Sequence, residues 1–234
     1  MAIPGRRFDM KRFLTVGLAL CLALAVALPA LAATSKAEAQ EEVVAAGKTL
    51  DNFVADPEMS WFRNNAKNAK GIFICSKVTK AGFIIGGSGG RCVLVARGEK
   101  GWNGPAHYAI GTASIGFQAG VDVAEIIMLV QTQKGLDSFM SGDFKVGADA
   151  SITAGPVGAG TGAATSDLIV YSRSKGVYAG VDVSGSGVKP SEDYNEAYYG
   201  KPASPIDIIV RGAVHNPQAN AALMSKVAKL WGGK

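Results

Sequence analysis

The stretch "AGFIIGGSGGRCVLV" (Ala81–Val95) sets Gly86, Gly87, Gly89 and Gly90 between two apolar runs. A glycine cluster after a hydrophobic strand is the sequence form of a phosphate-binding loop, and equally of a sharply bent sheet. The run lacks the Gly-Lys-Ser/Thr ending of a P-loop, because Gly90 is followed by Arg91. What comes next, "RCVLVARG", reads as a strand, so no helix N-terminus stands ready to offer free N–H groups to an anion. "GPVGAGTGAAT" (Gly155–Thr165) meets the same objection, and its spacing is wrong for a dinucleotide fingerprint. The glycines are therefore expected to bend strands and let them cross closely, not to hold a nucleotide.

Outward from this stretch the pattern continues. "GIFIC", "GFIIGG", "RCVLVAR", "AHYAIGTASIGFQAG" and "VAEIIMLVQ" are short, β-branched or aromatic, and punctuated by glycine, which predicts strands. Thr132–Gly142 interrupts them as a helix. "SDLIVYSRSKGVYAGVDVSGSGV" predicts a hairpin turning at Ser174-Lys175-Gly176. Before the strands, residues 33–66 have helical spacing at Val43, Gly47, Leu50 and Val54, and Asp56-Pro57 caps and starts a second short helix. After them, Asn216 caps and Pro217 starts a final helix, with Ala221, Met224, Ala228 and Trp231 on one face. The expected fold class is α+β: a glycine-rich, strongly bent antiparallel sheet, a barrel-like roll, flanked by N-terminal and C-terminal helices.

The chain has 234 residues, 48% apolar and 18% charged, which suits a globular protein and not a disordered one. Residues 1–32 differ from the rest. Arg6, Arg7, Lys11 and Arg12 precede the apolar run Phe13–Leu28, and "PALAA" follows with Ala30 and Ala32 at signal-peptidase spacing. The run is shorter than the roughly 20 residues that span a bilayer, so 1–32 is expected to be a cleaved secretory signal peptide. Its removal takes away those four basic residues and Asp9, and the formal charge falls from +5 to +2. Such a balance gives no case for nucleic acid. The expected division is 1–32 signal, 33–66 helical segment and 67–234 main domain with its C-terminal helix, placed in the periplasm or at the cell surface.

Chemistry-bearing constellations are sparse. His107 and His215 show no metal-ligand spacing, and with Cys75 and Cys92 they form no Cys-x-x-Cys or His-x-x-x-His pattern; no metal or cofactor is expected. Ser172–Lys175 spells the Ser-x-x-Lys of penicillin-recognising enzymes, but it falls in a predicted hairpin where that chemistry needs a helix start. No catalytic residues are expected, and the protein is read as not an enzyme. In an oxidising compartment Cys75 and Cys92 read as one disulfide; two buried thiols are the other reading. Basic residues recur beside turn glycines, at Lys77, Lys80, Arg91, Lys145, Arg173 and Lys175. Clustered, they would attract anionic headgroups; scattered, they are ordinary solvated side chains.

Several blocks, in order, resemble the SYLF domain family, the Ysc84-type lipid-binding and actin-binding domain. They are "AKGIFICSKVTKAGFIIGGSGGRCVLVAR", "GPAHYAIGTASIGFQAG", "VDVAEIIMLVQTQKGLDSFMSGDFKVGADASITAGPVG", "YSRSKGVYAGVDVSG" and "YNEAYYG". The resemblance implies non-enzymatic binding of anionic phospholipid at a membrane surface. Its lipid contact would fall on the helix over 36–54 and on Lys77 and Lys80. Eukaryotic members carry the domain beside SH3 or FYVE modules and bind phosphoinositides and filamentous actin. This sequence departs from them in its leader, as an exported, bacterial-type member would. Cys75 and Cys92 stand where relatives often have proline and a small residue, which fits a disulfide of an exported form. The alternative expectation is a structural or protein-interaction role in the cell envelope, with another envelope protein as partner.

Overall fold

The computed structural model describes residues 36–82, 85–98, 101–115, 120–157, 166–174, 177–178 and 183–232. The predicted signal peptide and Lys175 lie outside them. Helix α1 covers residues 36–55. Its buried positions, Ala39, Val43, Ala46, Leu50 and Phe53, recur at three- and four-residue steps and form one stripe. Asp56 ends it as expected: its carboxylate accepts from the Glu58 N–H at 2.9 Å, and Pro57 opens a single 3-10 turn (Pro57–Met59) before α2 (Ser60–Ala66). Arg63 Nη1 donates to the freed Val54 carbonyl at 3.1 Å, which ties the two helices at the break.

The strands are β1 (Gly71–Gly82), β2 (Ile85–Gly98), β3 (Gly101–Ile115), β4 (Gly120–Val130), β5 (Phe144–Lys145), β6 (Ile152–Ala154), β7 (Leu168–Ser174), β8 (Val177–Tyr178) and β9 (Gly187–Pro190). They form one nine-stranded, strongly curled sheet in the order β5-β9-β3-β2-β1-β4-β7-β6, with β8 on β7. Every pair is antiparallel except β6 with β7. The hairpin predicted around residues 174–176 is the β7–β8 pair, closed at Ser174↔Val177. The cluster Gly86–Gly90 is not a loop. It lies inside β2, registered with β1 on one side and β3 on the other.

Apolar runs without polar interruption are buried on both sides. In β1, Ile72 and Ile74 point to one face and Phe73 and Cys75 to the other; β4 divides Ile127 and Leu129 from Ile126 and Met128 in the same way. The first face packs against α1, α2, α4 (Glu192–Tyr199) and α5 (Pro217–Leu230), around Phe53, Phe62, Tyr198, Val227 and Trp231. The second packs against α3 (Gln133–Met140), Phe144 and a π-helical turn (Ile206–Val210), around Phe73, Tyr108 and Phe139. Each such large side chain, fully buried, contributes about 1.5–3 kcal/mol.

Three local readings are corrected. Leu223, Val227 and Trp231 are the buried face of α5, while Ala221 is exposed and Met224 and Ala228 are only partly covered. The larger side chains took the core, and alanine spacing misled because methyl groups bury little area. Asn216 precedes α5 without capping it; its amide donates instead to the Tyr198 carbonyl at 2.8 Å. Helix α4 was not anticipated, because "EDYNEAYY" mixes acids with tyrosines and shows no clean apolar stripe.

Candidate functional site

A β-bulge divides the sheet into two ends. Ile74 pairs with Val93 and Lys77 with Arg91, so Cys75 and Ser76 together face Cys92. On the other side Cys75 pairs with Ile126 and Val78 with Ala124, so Ser76 and Lys77 together face Glu125. Cys75 and Cys92 are bonded across this irregularity, with Cα atoms 4.1 Å apart and neither residue exposed. Gly90, just past it, has no room for a side chain: a Cβ there would lie 2.5 Å from the Lys77 carbonyl oxygen. This is the close strand approach expected of the glycines.

On the α1 face a row of charged residues runs across the sheet at the bulge. Arg91 is opposite Lys77, Lys77 is beside Glu125, and Glu125 is opposite Arg173. Arg173 is committed: its Nε donates to Glu125 Oε2 at 3.0 Å, its Nη2 bonds the same oxygen, and its guanidinium lies over the Phe53 ring. Thr49 of α1 donates to the other Glu125 oxygen at 3.0 Å. Lys77 and Arg91 are exposed and form no salt bridge among the described residues. Arg91 is steadied by Tyr194, its guanidinium carbon 3.6 Å from the ring centroid.

Beyond this row no other described element covers the strands. On the α1 side the registered residues are Thr79, Ala81, Gly87, Gly89, Gly111, Ala113, Val121 and Val123. Val121 is 70% and Val123 42% exposed. The reverse side is polar. Lys80 is opposite both Asp122 and Ser88, Ser174 Oγ donates to Asp122 Oδ1 at 2.5 Å, and Ser88 and Thr112 hydroxyls are 3.5 Å apart.

Of the six predicted cations Lys175 lies outside the described residues, and the other five do not form one cluster. Lys77 and Arg91 are immediate neighbours, and Lys80 is close but on the reverse face. Arg173 is neutralised. Lys145 lies on β5 at one end of the sheet order, with β9, β3 and β2 between it and β1. The apolar stripe of α1 is spent on the core, leaving Val44, 55% exposed, outside it. Ser172 sits buried in β7, in a strand and not at a helix start, and Lys175 lies outside the described residues.

Sequence reasoning missed one polar constellation. His107, fully buried on β3, has its Nδ1 2.9 Å from Glu42 Oε2 of α1, and its backbone N–H donates to Asn195 Oδ1 of α4 at 2.8 Å. Burial pushes the Glu42 carboxyl above its ordinary pKa, against the opposing pull of His107 and Arg91. Tyr194, hydrogen-bonded to Glu38, is pushed up to about 12, first by burial and then by that bond. These contacts pin α1 to β3 and α4. No pattern of short spacing could reveal them, since Glu42 and His107 are 65 residues apart. Among the described residues no three His, Cys, Asp or Glu side chains are grouped to hold a metal, and no helix is long and apolar enough to cross a membrane.

The described residues thus form a curled α+β sheet with helices at both chain ends, covered at one end and exposed at the other. Residues 111–230 match the family described as Ysc84, Las17-binding protein actin regulator, and the chain belongs to that family. It is similar to protein YSC84 of Saccharomyces cerevisiae, 34% identical over 167 residues, covering 68% of this chain and 35% of the relative. LAS seventeen-binding protein 3 of the same yeast is 33% identical over 162 residues, covering 65% and 35%. Human SH3 domain-containing YSC84-like protein 1 is 30% identical over 148 residues, covering 60% and 43%. The chain thus spans well under half the length of these relatives. Of these names one describes a Las17-binding protein and one an SH3 domain-containing protein.

Proposed function

We propose that this is an exported, non-enzymatic binding protein of the periplasm or cell surface that docks on anionic phospholipid headgroups through Lys77 and Arg91. The observation that carries the reading is their register. Two cations directly opposite in an antiparallel pair destabilise a sheet, and a phosphate held between them would offset that repulsion. Neither forms a salt bridge among the described residues, and Arg91 meets Glu42 only through longer-range attraction. Lys80, on the reverse side of the same strand, adds to the local field.

The second reading is a protein-interaction role, favoured by relatives named as Las17-binding and SH3 domain-containing. Salt separates the two. The Debye length falls from about 10 Å at 0.1 M to about 3 Å at 1 M, so headgroup docking weakens in salt while an apolar protein interface does not. The test is co-sedimentation of the protein, purified in its exported form, with neutral and anionic vesicles at low and high salt. Binding to anionic vesicles alone, lost in salt, is expected. Each basic residue near such a surface is worth about 1 kcal/mol, so Lys77→Glu with Arg91→Glu weakens binding at least thirtyfold, roughly. Binding indifferent to both salt and charge reversal would overturn the proposal.

A further inference from the structure

The cations lie at the foot of a surface that headgroup attraction does not use. We infer that the bare end of the sheet enters the membrane interface obliquely, with the face bearing Ala81, Val121 and Val123 toward the acyl chains, the reverse face with Lys80 and Asp122 toward water, and Lys77 and Arg91 at the level of the phosphates. This rests on the headgroup reading above and adds a depth and an orientation to it.

Three observations support it. First, the exposed apolar groups are not scattered. Val121 is registered with Ala81, and Ala81 with Gly87, which is registered with Ala113; Val123, Thr79, Gly89 and Gly111 form the adjacent row. All eight residues share one face, on which no described residue beyond the Lys77–Arg91 row is charged, whereas the reverse face carries Lys80, Asp122, Ser88 and Thr112. The end of the sheet is amphipathic about its own plane.

Second, the distances suit a bilayer. Ala81 is four residues beyond Lys77, about 13 Å along the strand at roughly 3.3 Å per residue. The headgroup zone of one leaflet is about 5–8 Å deep. With Lys77 and Arg91 among the phosphates, Ala81 and Val121 pass that zone even with the strands tilted by about 50° from the bilayer normal, a tilt that turns Lys80 and Asp122 toward water. A lysine stem is long enough to keep its ammonium in the headgroups while the strand goes deeper.

Third, the alternative occupant, a second copy of the chain, is poorly served. The eight described residues of this face cover about 260 Å² at ordinary strand spacing, against roughly 800 Å² per partner in a stable dimer. The flanking charge is cationic, which complements an anionic bilayer.

The test places an environment-sensitive fluorophore on Val121→Cys and, as control, on Val210→Cys, an exposed position on the π-helical turn near the covered end of β3. With anionic vesicles the label at 121 is expected to shift to the blue and be quenched by a bilayer-embedded quencher, while the label at 210 stays aqueous. Val121→Asp with Val123→Asp is expected to weaken vesicle binding more than tenfold with an unchanged melting curve. Suppose instead that this double variant binds as tightly as the parent, the label at 121 stays aqueous, and Lys77→Glu with Arg91→Glu alone abolishes binding. Then the headgroup reading stands and insertion is overturned. No binding of the parent to any anionic vesicle overturns both. A parent dimer in sedimentation that the Asp variant dissolves assigns the face to self-association and overturns insertion.

Discussion

The two ends of β1 and β2 are made of the same strands and differ in nearly everything else. Below the bulge, Ile72, Phe73, Ile74, Val93, Leu94 and Val95 are buried on both faces under helices and loops. Above it, Thr79, Ala81, Gly87 and Gly89 have no layer over them among the described residues, and the strands are held by their ladder hydrogen bonds. The covered end shows how much apolar surface this chain uses to secure its fold. The bare end shows that the strands extend past what the fold requires. A sheet that outruns its core has either a partner or a liability to aggregation, and the cation pair at the boundary favours a partner of opposite charge.

The comparison is tested hardest at its covered end. Phe73 is fully buried and meets Phe139 and Tyr108 with ring centroids 4.9 and 5.8 Å away. Phe73→Ala is expected to cost about 3–5 kcal/mol, because the cavity stays partly open, and denaturant unfolding will show it. A cost below about 1 kcal/mol would mean that the covered end is not the stabilising half.

The disulfide comes next. It joins residues 17 apart in sequence at the boundary between the ends. Closing a loop of that size removes denatured-state entropy worth about 3 kcal/mol. Cys75→Ala with Cys92→Ala should lower the unfolding midpoint accordingly and raise amide exchange in residues 78–90 more than in 72–74. Uniform exchange along both segments would remove the boundary that the bulge is taken to mark.

Much of the covered end was legible in the sequence, and the reason is local. The Asp56-Pro57 break, Thr132 starting α3, the β7–β8 hairpin and the apolar strands all follow from patterns a few residues long. The close strand approach expected of the glycine cluster is met at Gly90, inside β2 and not in a turn. What failed was pairing at a distance. The neutralisation of Arg173 by Glu125, the isolation of Lys145 and the His107–Glu42 contact depend on strand order and helix placement, which no short window contains. The cations could be named from the sequence, but which of them were still free could not.

A smaller effect probes the covered end through pH. Asp167 accepts from the Thr132 hydroxyl at 2.6 Å and from the Ser151 N–H and hydroxyl at 2.9 and 2.8 Å, with Lys134 nearby. These bonds hold its carboxyl well below the usual range. A depressed folded-state pKa means stability that is present above the ordinary value, near 3.8, and lost as pH falls through and below it. Asp167→Asn is therefore expected to cost about 1–3 kcal/mol at pH 7, and the gap to the parent should narrow between about pH 5 and 2. A gap constant over that interval would mean that the carboxylate charge contributes nothing.

The smallest expected effect bears most on the bare end. Val121→Thr with Val123→Thr keeps the β-branched shape that strands favour while making the face polar. Because both valines are exposed, Val121 at 70% and Val123 at 42%, the pair should change stability by no more than about 0.5 kcal/mol. Phe73→Ala, in the same sheet, is expected to cost several times that. A loss above about 1 kcal/mol would show that the valines are packed against something in solution, and the bare end would be a covered one. A null result in unfolding, together with weaker attachment to anionic vesicles, would separate the two ends by function. One end would then hold the fold, and the other would be free to hold something else.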